Sequence, residues 1–271
     1  MVVAVIFVTL LLVAASYVFL VMPRSMAKPD TMPIFCDFAH RGMHDHRCGL
    51  PENSMGAFKR AAELGVGIEL DVRLTRDGRV VVFHDETLGR MCGKDVPISK
   101  LTYEQLKNER LLGTGYGIPL FSDVLSMVGG RVPLLIEIKS EGFDDSICWK
   151  IAPLLDRYGG DYCVQSFNPM MLRWFSKHRE DVIRGQLVTR FENGQSRHGK
   201  AVDFLLTHML LNWLSRPDII VCDGRHQRGL DKWLCRCVFH TPFLYYTVLR
   251  RELLERNRRS GARSVFEGFE P

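Results

Sequence analysis

The chain opens on an unbroken apolar run. From Met1 to Pro23 no side chain carries a charge, and between Val2 and Met22 only Thr9, Ser16 and Tyr17 are mildly polar. A helix of about 20 residues, rising ~1.5 Å per residue, crosses the roughly 30 Å hydrocarbon layer of a bilayer. Residues 1–22 are therefore read as one transmembrane anchor. A cleavable secretory signal places its basic residues ahead of a shorter apolar stretch, whereas here Arg24 and Lys28 follow it. The trailing cations favour a cytoplasmic position for the rest of the chain, which makes it a single-pass protein of the cell membrane. Residues 23–33 hold three prolines and no apolar period. They predict a linker, with the folded domain over 34–271.

Beyond the linker, short apolar or alternating runs recur at 35–40, 67–74, 79–84, 133–139, 162–167, 183–188, 219–222, 242–248 and 263–266. Several have the character of buried strands. Helical periodicity occupies 53–64, 102–109, 122–128, 145–158, 169–178 and 252–260. Strand and helix in alternation predict an α/β protein with a parallel sheet, and a domain near the ~250 residues typical of a (β/α)8 TIM barrel favours that closure. Nine strand-like runs compete for eight places. One is an extra hairpin strand or no strand, and 219–222 is the weakest. Asn53 or Ser54 caps the helix that follows, Thr102 with Gln105 matches a capping box, and Asp77-Gly78 predicts a tight hairpin turn. The polar, glycine-bearing stretch 97–119 reads as an insertion over the barrel mouth.

Composition narrows the class without choosing a function. The 271 residues are 46% hydrophobic and 25% charged, which excludes disordered and fibrous chains. The formal charge of +5 selects no partner. Eight cysteines without framework spacing read as reduced thiols. Cys235, Cys237 and His240 lack the spacing of a zinc knuckle. The arginines at 250, 251, 256, 258, 259 and 263 are interrupted by Glu252, Leu253, Leu254 and Glu255, which fits a solvated barrel helix rather than a nucleic-acid surface.

The ionisable residues change the picture. Glu69 and Asp71 are two apart, as are Glu137 and Lys139, so on a pleated strand each pair shares a face. Their neighbours are aliphatic. Carboxylates inside a barrel must be paired or bound to metal. Glu69, Asp71 and Glu137 offer an all-oxygen set suited to Ca²⁺ or Mg²⁺. A buried Glu137–Lys139 ion pair with two solvent-facing carboxylates satisfies the same pattern. His40 and His84 fall at the ends of two strand-like runs, and strand ends of this kind build the active face of a β/α barrel. Imidazole is the side chain suited to proton exchange near neutral pH.

The ordered motifs Ala39-His40-Arg41-Gly42, Pro51-Glu52-Asn53-Ser54, Glu69-Leu70-Asp71-Val72, Val81-Val82-Phe83-His84-Asp85 and Glu137-Ile138-Lys139 follow one another along the chain. In that order the chain resembles the glycerophosphodiester phosphodiesterases, over nearly all of 35–271. Ile118-Pro119-Leu120-Phe121, Gln165-Ser166-Phe167 and Tyr246-Thr247-Val248 extend the match. The resemblance implies a (β/α)8 fold and hydrolysis of glycerophosphodiesters to glycerol 3-phosphate and an alcohol, with one divalent cation, Ca²⁺ or Mg²⁺. It implies His40 and His84 as general base and general acid, Glu69, Asp71 and Glu137 as metal ligands, and Arg41 and Lys139 facing the phosphate. It further implies attack by the glycerol 2-hydroxyl through a cyclic phosphate. Departures from the family pattern at Tyr246, Leu249 and the 266–269 segment fall at the pocket rim, where the head group is expected to be selected. A lysophospholipase D-like activity on membrane lipids, or phosphodiester binding without turnover, are the alternative readings. Glu52 is expected to orient Asn53 and its loop rather than touch metal.

Overall fold

In a computed structural model describing residues 1–24, 34–140, 142–191 and 199–271, eight parallel strands close into a barrel. They are β1 (Phe38–Ala39), β2 (Gly67–Leu74), β4 (Leu134–Ile138), β5 (Tyr162–Ser166), β6 (Ile183–Val188), β7 (Ile219–Asp223), β8 (Phe243–Val248) and β9 (Arg263–Phe266). The ring closes where β1 pairs with both β2 and β9. Beyond Arg24, the expected linker lies outside the described residues.

The ninth run is β3 (Val80–Val82), antiparallel to β2 through the Asp77-Gly78 turn. Two expectations are corrected here. The run at 219–222 is a genuine barrel strand, paired on both sides, and the run at 79–84 is the extra hairpin strand. The reason is geometric. β1 is only two residues long and pairs with β2 at Gly67 and Ile68, so the upper edge of β2 is left open and β3 fills it at Val72, Arg73 and Leu74. The 97–119 stretch also differs from expectation. It packs against β3 through Val81, Phe83, Ile98, Leu106, Leu111 and Ile118, and its residues line neither of the cavities at the mouth. Its short helix α4 (Tyr103–Leu106) does carry the expected capping box.

The strands divide their side chains by parity. Ile68, Leu70, Val72, Ile136 and Ile138 pack outward against the helices, which include α2 (Met55–Glu63), α5 (Phe121–Val128), α6 (Ser146–Leu155), α7 (Pro169–His178) and α11 (Arg251–Arg259). Phe38, Leu135, Cys163, Ile219, Val221, Leu244 and Val265 fill the barrel interior. Alternation therefore turns Glu69, Asp71 and Glu137 inward, onto that apolar floor. On α11, Arg258 is tied to Asp37 and Glu255 while Leu254 is buried, the arrangement of an ordinary amphipathic barrel helix. All eight cysteines are free thiols.

The N-terminal apolar segment forms α1 (Val2–Val21), exposed along most of its length. Its last turn is seated on the barrel between α9 (Asn212–Ser215) and the π-helical turn Leu234–Val238. Below the barrel, the buried Arg184 and Asp218 pair at 3.5 Å, and Asp218 also accepts from the Arg184 backbone at 2.8 Å. Removing one partner of such a pair leaves a buried charge uncompensated. Asp218→Ala is expected to lower stability by about 3–5 kcal/mol, read as a drop in the denaturant midpoint.

Candidate active site

The strand register assembles the acidic centre. Asp71 on β2 lies directly beside Glu137 on β4, which lies beside Gln165 on β5. Adjacent strands run about 4.8 Å apart. One ligand atom from each of Glu69, Asp71 and Glu137 falls within 4.8 Å of the others, and all three residues are buried. Burial, with the neighbouring Asp71 charge, raises the Glu69 pKa. Asp71 moves down: burial pushes it up, but Lys139, His84 and Arg41 outweigh that, together with the Asn53 amide.

Lys139 supplies the nearest compensation. Its ammonium lies 2.5 Å from Glu137 and 3.1 Å from Asp71. The ion pair is thus present, but Glu69 and Asp71 do not turn to solvent, so the two readings of the spacing are not exclusive. Three clustered carboxylates retain excess negative charge against one ammonium. Gln165 donates to Glu69 at 3.2 Å, and its own buried amide oxygen has no partner among the described residues. Carboxylate and amide oxygens are the donor set of a hard divalent cation, so the residues present fit such an ion.

Each residue of the Glu52-Asn53-Ser54 motif has a separate task. Glu52 accepts from Arg41 at 2.6 Å and from Arg90 at 2.7 and 2.8 Å. Burial pushes its carboxyl up, but the two guanidinium groups bring it down to about 2. Asn53, with φ +53°, donates to Asp71 at 2.8 Å, and asparagine tolerates this left-handed conformation better than most residues. Ser54 caps α2 by accepting from the Ala57 amide. Gly42, at φ +80°, passes so close to Ala57 and Phe58 that a Cβ would meet their atoms at 2.9 Å. The Arg41 guanidinium is held mainly by Glu52, with Nε 3.6 Å from Asp71 and no hydrogen-bond partner among the described residues. The Arg41 amide donates to Glu69 at 3.0 Å.

The two imidazoles reach the same cavity by different routes. His40 follows β1, and its amide donates to Phe266 on β9. Its Nδ1 lies 2.7 Å from Glu267. Burial depresses the His40 pKa, but the Glu267 hydrogen bond and the charges of Glu69 and Glu267 more than offset it, so the net shift is upward. His84 comes down from the β3 hairpin rather than rising from a barrel strand, a correction to its expected placement. The Phe83 amide donates to Asp71, and Arg73 donates twice to the His84 carbonyl, at 2.9 and 2.8 Å. Its Nδ1 lies 2.7 Å from Asp85, which Arg90 holds in turn. Both rings are therefore oriented by a carboxylate at Nδ1. His40, Arg41, Glu69, His84, Glu137 and Lys139 all line one cavity of about 190 Å³.

Sequence reasoning assigned no role to Glu267, Asp85, Arg73 or Gln165. Arg73 continues the inward parity of Glu69 and Asp71, and Gln165 lies in a matched motif, so both carried a signal. Glu267 stood in a segment read as a departure. The structure shows it supplying a carboxylate to His40. Glu267→Gln removes the charge that raises the His40 pKa, so the acidic limb of the kcat/KM profile is expected to move to lower pH. The variant is expected to lose between about 10- and 10²-fold in kcat, with partial recovery in Glu267→Asp. An unmoved limb would separate Glu267 from His40 function.

A larger cavity of about 760 Å³ adjoins this one, sharing His84, Lys139 and Phe167. Its outer wall is apolar, with Phe143, Met170, Phe191, Leu206, Leu211 and Leu214.

Comparison with known proteins is consistent with this geometry. The model of the "Glycerophosphoryl diester phosphodiesterase family" matches residues 40–219. Protein YqiK of Bacillus subtilis, itself uncharacterized, is 37% identical over 247 residues, covering 86% of this chain and 94% of its own. A glycerophosphodiester phosphodiesterase of Caldanaerobacter subterraneus subsp. tengcongensis is 42% identical over 112 residues, which are 38% of this chain and 44% of that protein. The chain thus spans less than half the length of that relative. Among solved structures, a phosphodiesterase from Oleispira antarctica in complex with sn-glycerol-3-phosphate superposes with a TM-score of 0.69 at 20% identity, covering 86% of this chain and 92% of that one. That likeness establishes the common fold. From the extent of the family match and the near full-length relative, the chain belongs to the glycerophosphoryl diester phosphodiesterase family.

Proposed function

We propose that this chain hydrolyses glycerophosphodiesters to glycerol 3-phosphate and an alcohol, as a metal-dependent phosphodiesterase anchored by residues 1–22 with its barrel domain over 34–271. The observation that carries the reading is the convergence of two carboxylate-oriented imidazoles with Glu69 and Glu137 on one small cavity, and the clustering of buried Asp71 with those two carboxylates. Glu69, Asp71 and Glu137 are the residues that would hold the cation, Ca²⁺ or Mg²⁺. When bound, such an ion supplies Lewis-acid polarisation of the phosphoryl oxygens and neutralises charge that builds on them.

The chain's own residues account for the proton traffic. His40, made more basic by Glu267, takes the proton of the attacking glycerol 2-hydroxyl. The new P–O bond forms as the bond to the alcohol breaks, and His84 donates its proton to the leaving oxygen. Water then opens the cyclic phosphate with the two imidazoles in exchanged roles, restoring both protonation states. Arg41 and Lys139 face the phosphate and offset its charge. The Arg41 Nε, buried and without a hydrogen-bond partner among the described residues, supports that assignment.

The anchor reading is supported by the length and composition of α1 and by its seat on the barrel. Arg24, paired with Asp218 just after the span, supports a cytoplasmic domain by the positive-inside rule. A second reading, lysophospholipase D-like turnover, is favoured by the apolar cavity that opens from the site beside Lys139 and His84. One experiment addresses both. The full chain, in detergent and in vesicles, is assayed on glycerophosphocholine, glycerophosphoethanolamine and a lysophosphatidylcholine with Ca²⁺, Mg²⁺ or chelator. Release of choline or ethanolamine from the soluble diesters, abolished by chelator, is expected. Binding of a diester without release of any alcohol would overturn the hydrolase reading.

A further inference from the structure

Exposed apolar side chains lie on the elements that adjoin the seat of α1. Phe19, in the last turn of α1, stands 6.4 Å from Trp213 on α9. Leu230 and Trp233, three apart on α10 (Leu230–Trp233), are both exposed, while Asp231 and Lys232 between them are buried. Val238 ends the adjoining π-helical turn, and Phe204 projects from α8 (Lys200–Thr207), whose Thr207 carbonyl accepts from Lys232. Trp213, Leu230, Trp233, Val238 and Phe204 are each between 41% and 60% exposed. Their elements adjoin one another and the end of α1, with Cys235 of the π-helical turn 3.9 Å from the Val21 carbonyl, and exposed apolar side chains gathered in this way mark a contact with a partner or a membrane.

The occupant follows from what holds α1 in place. Asn212 donates to the Val21 carbonyl at 2.9 Å, and Arg216 donates to Met22 at 2.8 Å and to Phe19 at 3.4 Å. These donors satisfy carbonyls that the end of a helix leaves open, and the cation suits the negative pole there. Arg24 is tied to Asp218 and the Glu180 carbonyl. The end of the span is therefore fixed to this flank, with Trp213 and Trp233 beside the level where hydrocarbon would give way to headgroups. Tryptophan is enriched at that depth because one edge of the ring is apolar and the other donates a hydrogen bond.

We propose that the α8–α10 flank lies against the bilayer, with Trp213, Leu230 and Trp233 inserted in the lipid–water interface beside α1. The barrel is then held flat on the membrane by a face as well as by a tether. Leu211 and Leu214, on either side of Trp213 in the chain, belong to the wall of the apolar cavity, so the segment that carries Trp213 also lines that cavity. The proposal rests on the reading of α1 as a span and is independent of the hydrolase reading.

The test uses the full chain in vesicles of phosphatidylcholine and phosphatidylglycerol whose acyl chains carry bromine near the headgroup. Trp149 on α6 and the buried Trp174 on α7 are the other tryptophans. Bromolipid is expected to quench the native chain, with the quenched component falling at least two-fold in Trp213→Phe with Trp233→Phe and staying unchanged in Trp149→Phe. Equal quenching in the double variant overturns the proposal while leaving the anchor intact. Failure of the native chain to sediment with vesicles overturns both. Leu230→Gln provides a second reading: a red shift of tryptophan emission in vesicles but not in detergent is expected, and no shift counts against the interface.

Discussion

His40→Ala and His84→Ala are each expected to lower turnover of a glycerophosphodiester by about 10²–10⁴-fold, the range of a single positioned acid or base. Little change is expected in the unfolding midpoint. The two imidazoles are oriented from opposite sides, His40 by Glu267 at the end of β9 and His84 by Asp85 and the Arg73 clamp on its carbonyl. Neither hydrogen-bonds the other, so the losses come from different halves of the proton exchange. The double variant is expected to lose little more than the worse single variant, because residues acting as one unit are strongly non-additive. A near-native rate in either single variant, measured at saturating substrate and cation, would end its assignment. Losing the Nδ1 hydrogen bond leaves Glu267 and Asp85 partly exposed, where water replaces the imidazole, so stability has little to lose.

Glu69→Gln is expected to raise the Ca²⁺ or Mg²⁺ concentration for half-maximal activity by at least the roughly 10–100-fold that the loss of a supporting group costs a metal site. It keeps the shape of the side chain; its one amide oxygen can accept from the Arg41 amide, and its NH2 can donate to the Gln165 oxygen once that amide turns over. It removes one of three charges in a buried cluster whose crowding already pushes the Glu69 pKa up. In the cation-free protein the variant is therefore expected to be at least as stable as the native chain. Cation-dependent activity and thermal unfolding with and without added Ca²⁺ measure the two effects. An unchanged cation requirement would move the ligand set elsewhere.

Much of this site was legible because local patterns report it. Two-residue spacing puts Glu69 with Asp71 and Glu137 with Lys139 on one face of any strand, and an aliphatic alternation around them declares which face is buried. The Asp77-Gly78 turn and the Thr102 capping box are equally local. By contrast, the assignment of nine strand-like runs to eight places turned on where β1 stops pairing with β2. That is a long-range register which no window of sequence contains. It made β3 the extra strand and brought His84 to the mouth from a hairpin. The short helices α9 and α10 were invisible to periodicity because a single turn is too brief to show it.

The chain's own order of residues determined the alternation, the buried acids, the two histidines and the apolar first helix, since each follows from side-chain chemistry at fixed spacing. Tertiary structure alone decided which carboxylate serves each imidazole, since Glu267 is 227 positions from His40 and meets it only when the ring closes. Closure likewise decided that Lys139 lies between Asp71 and Glu137, that an apolar cavity adjoins the acids, and that α1 ends against α9. Pairing of this kind depends on barrel register and helix packing, which arise from burial summed over the whole chain.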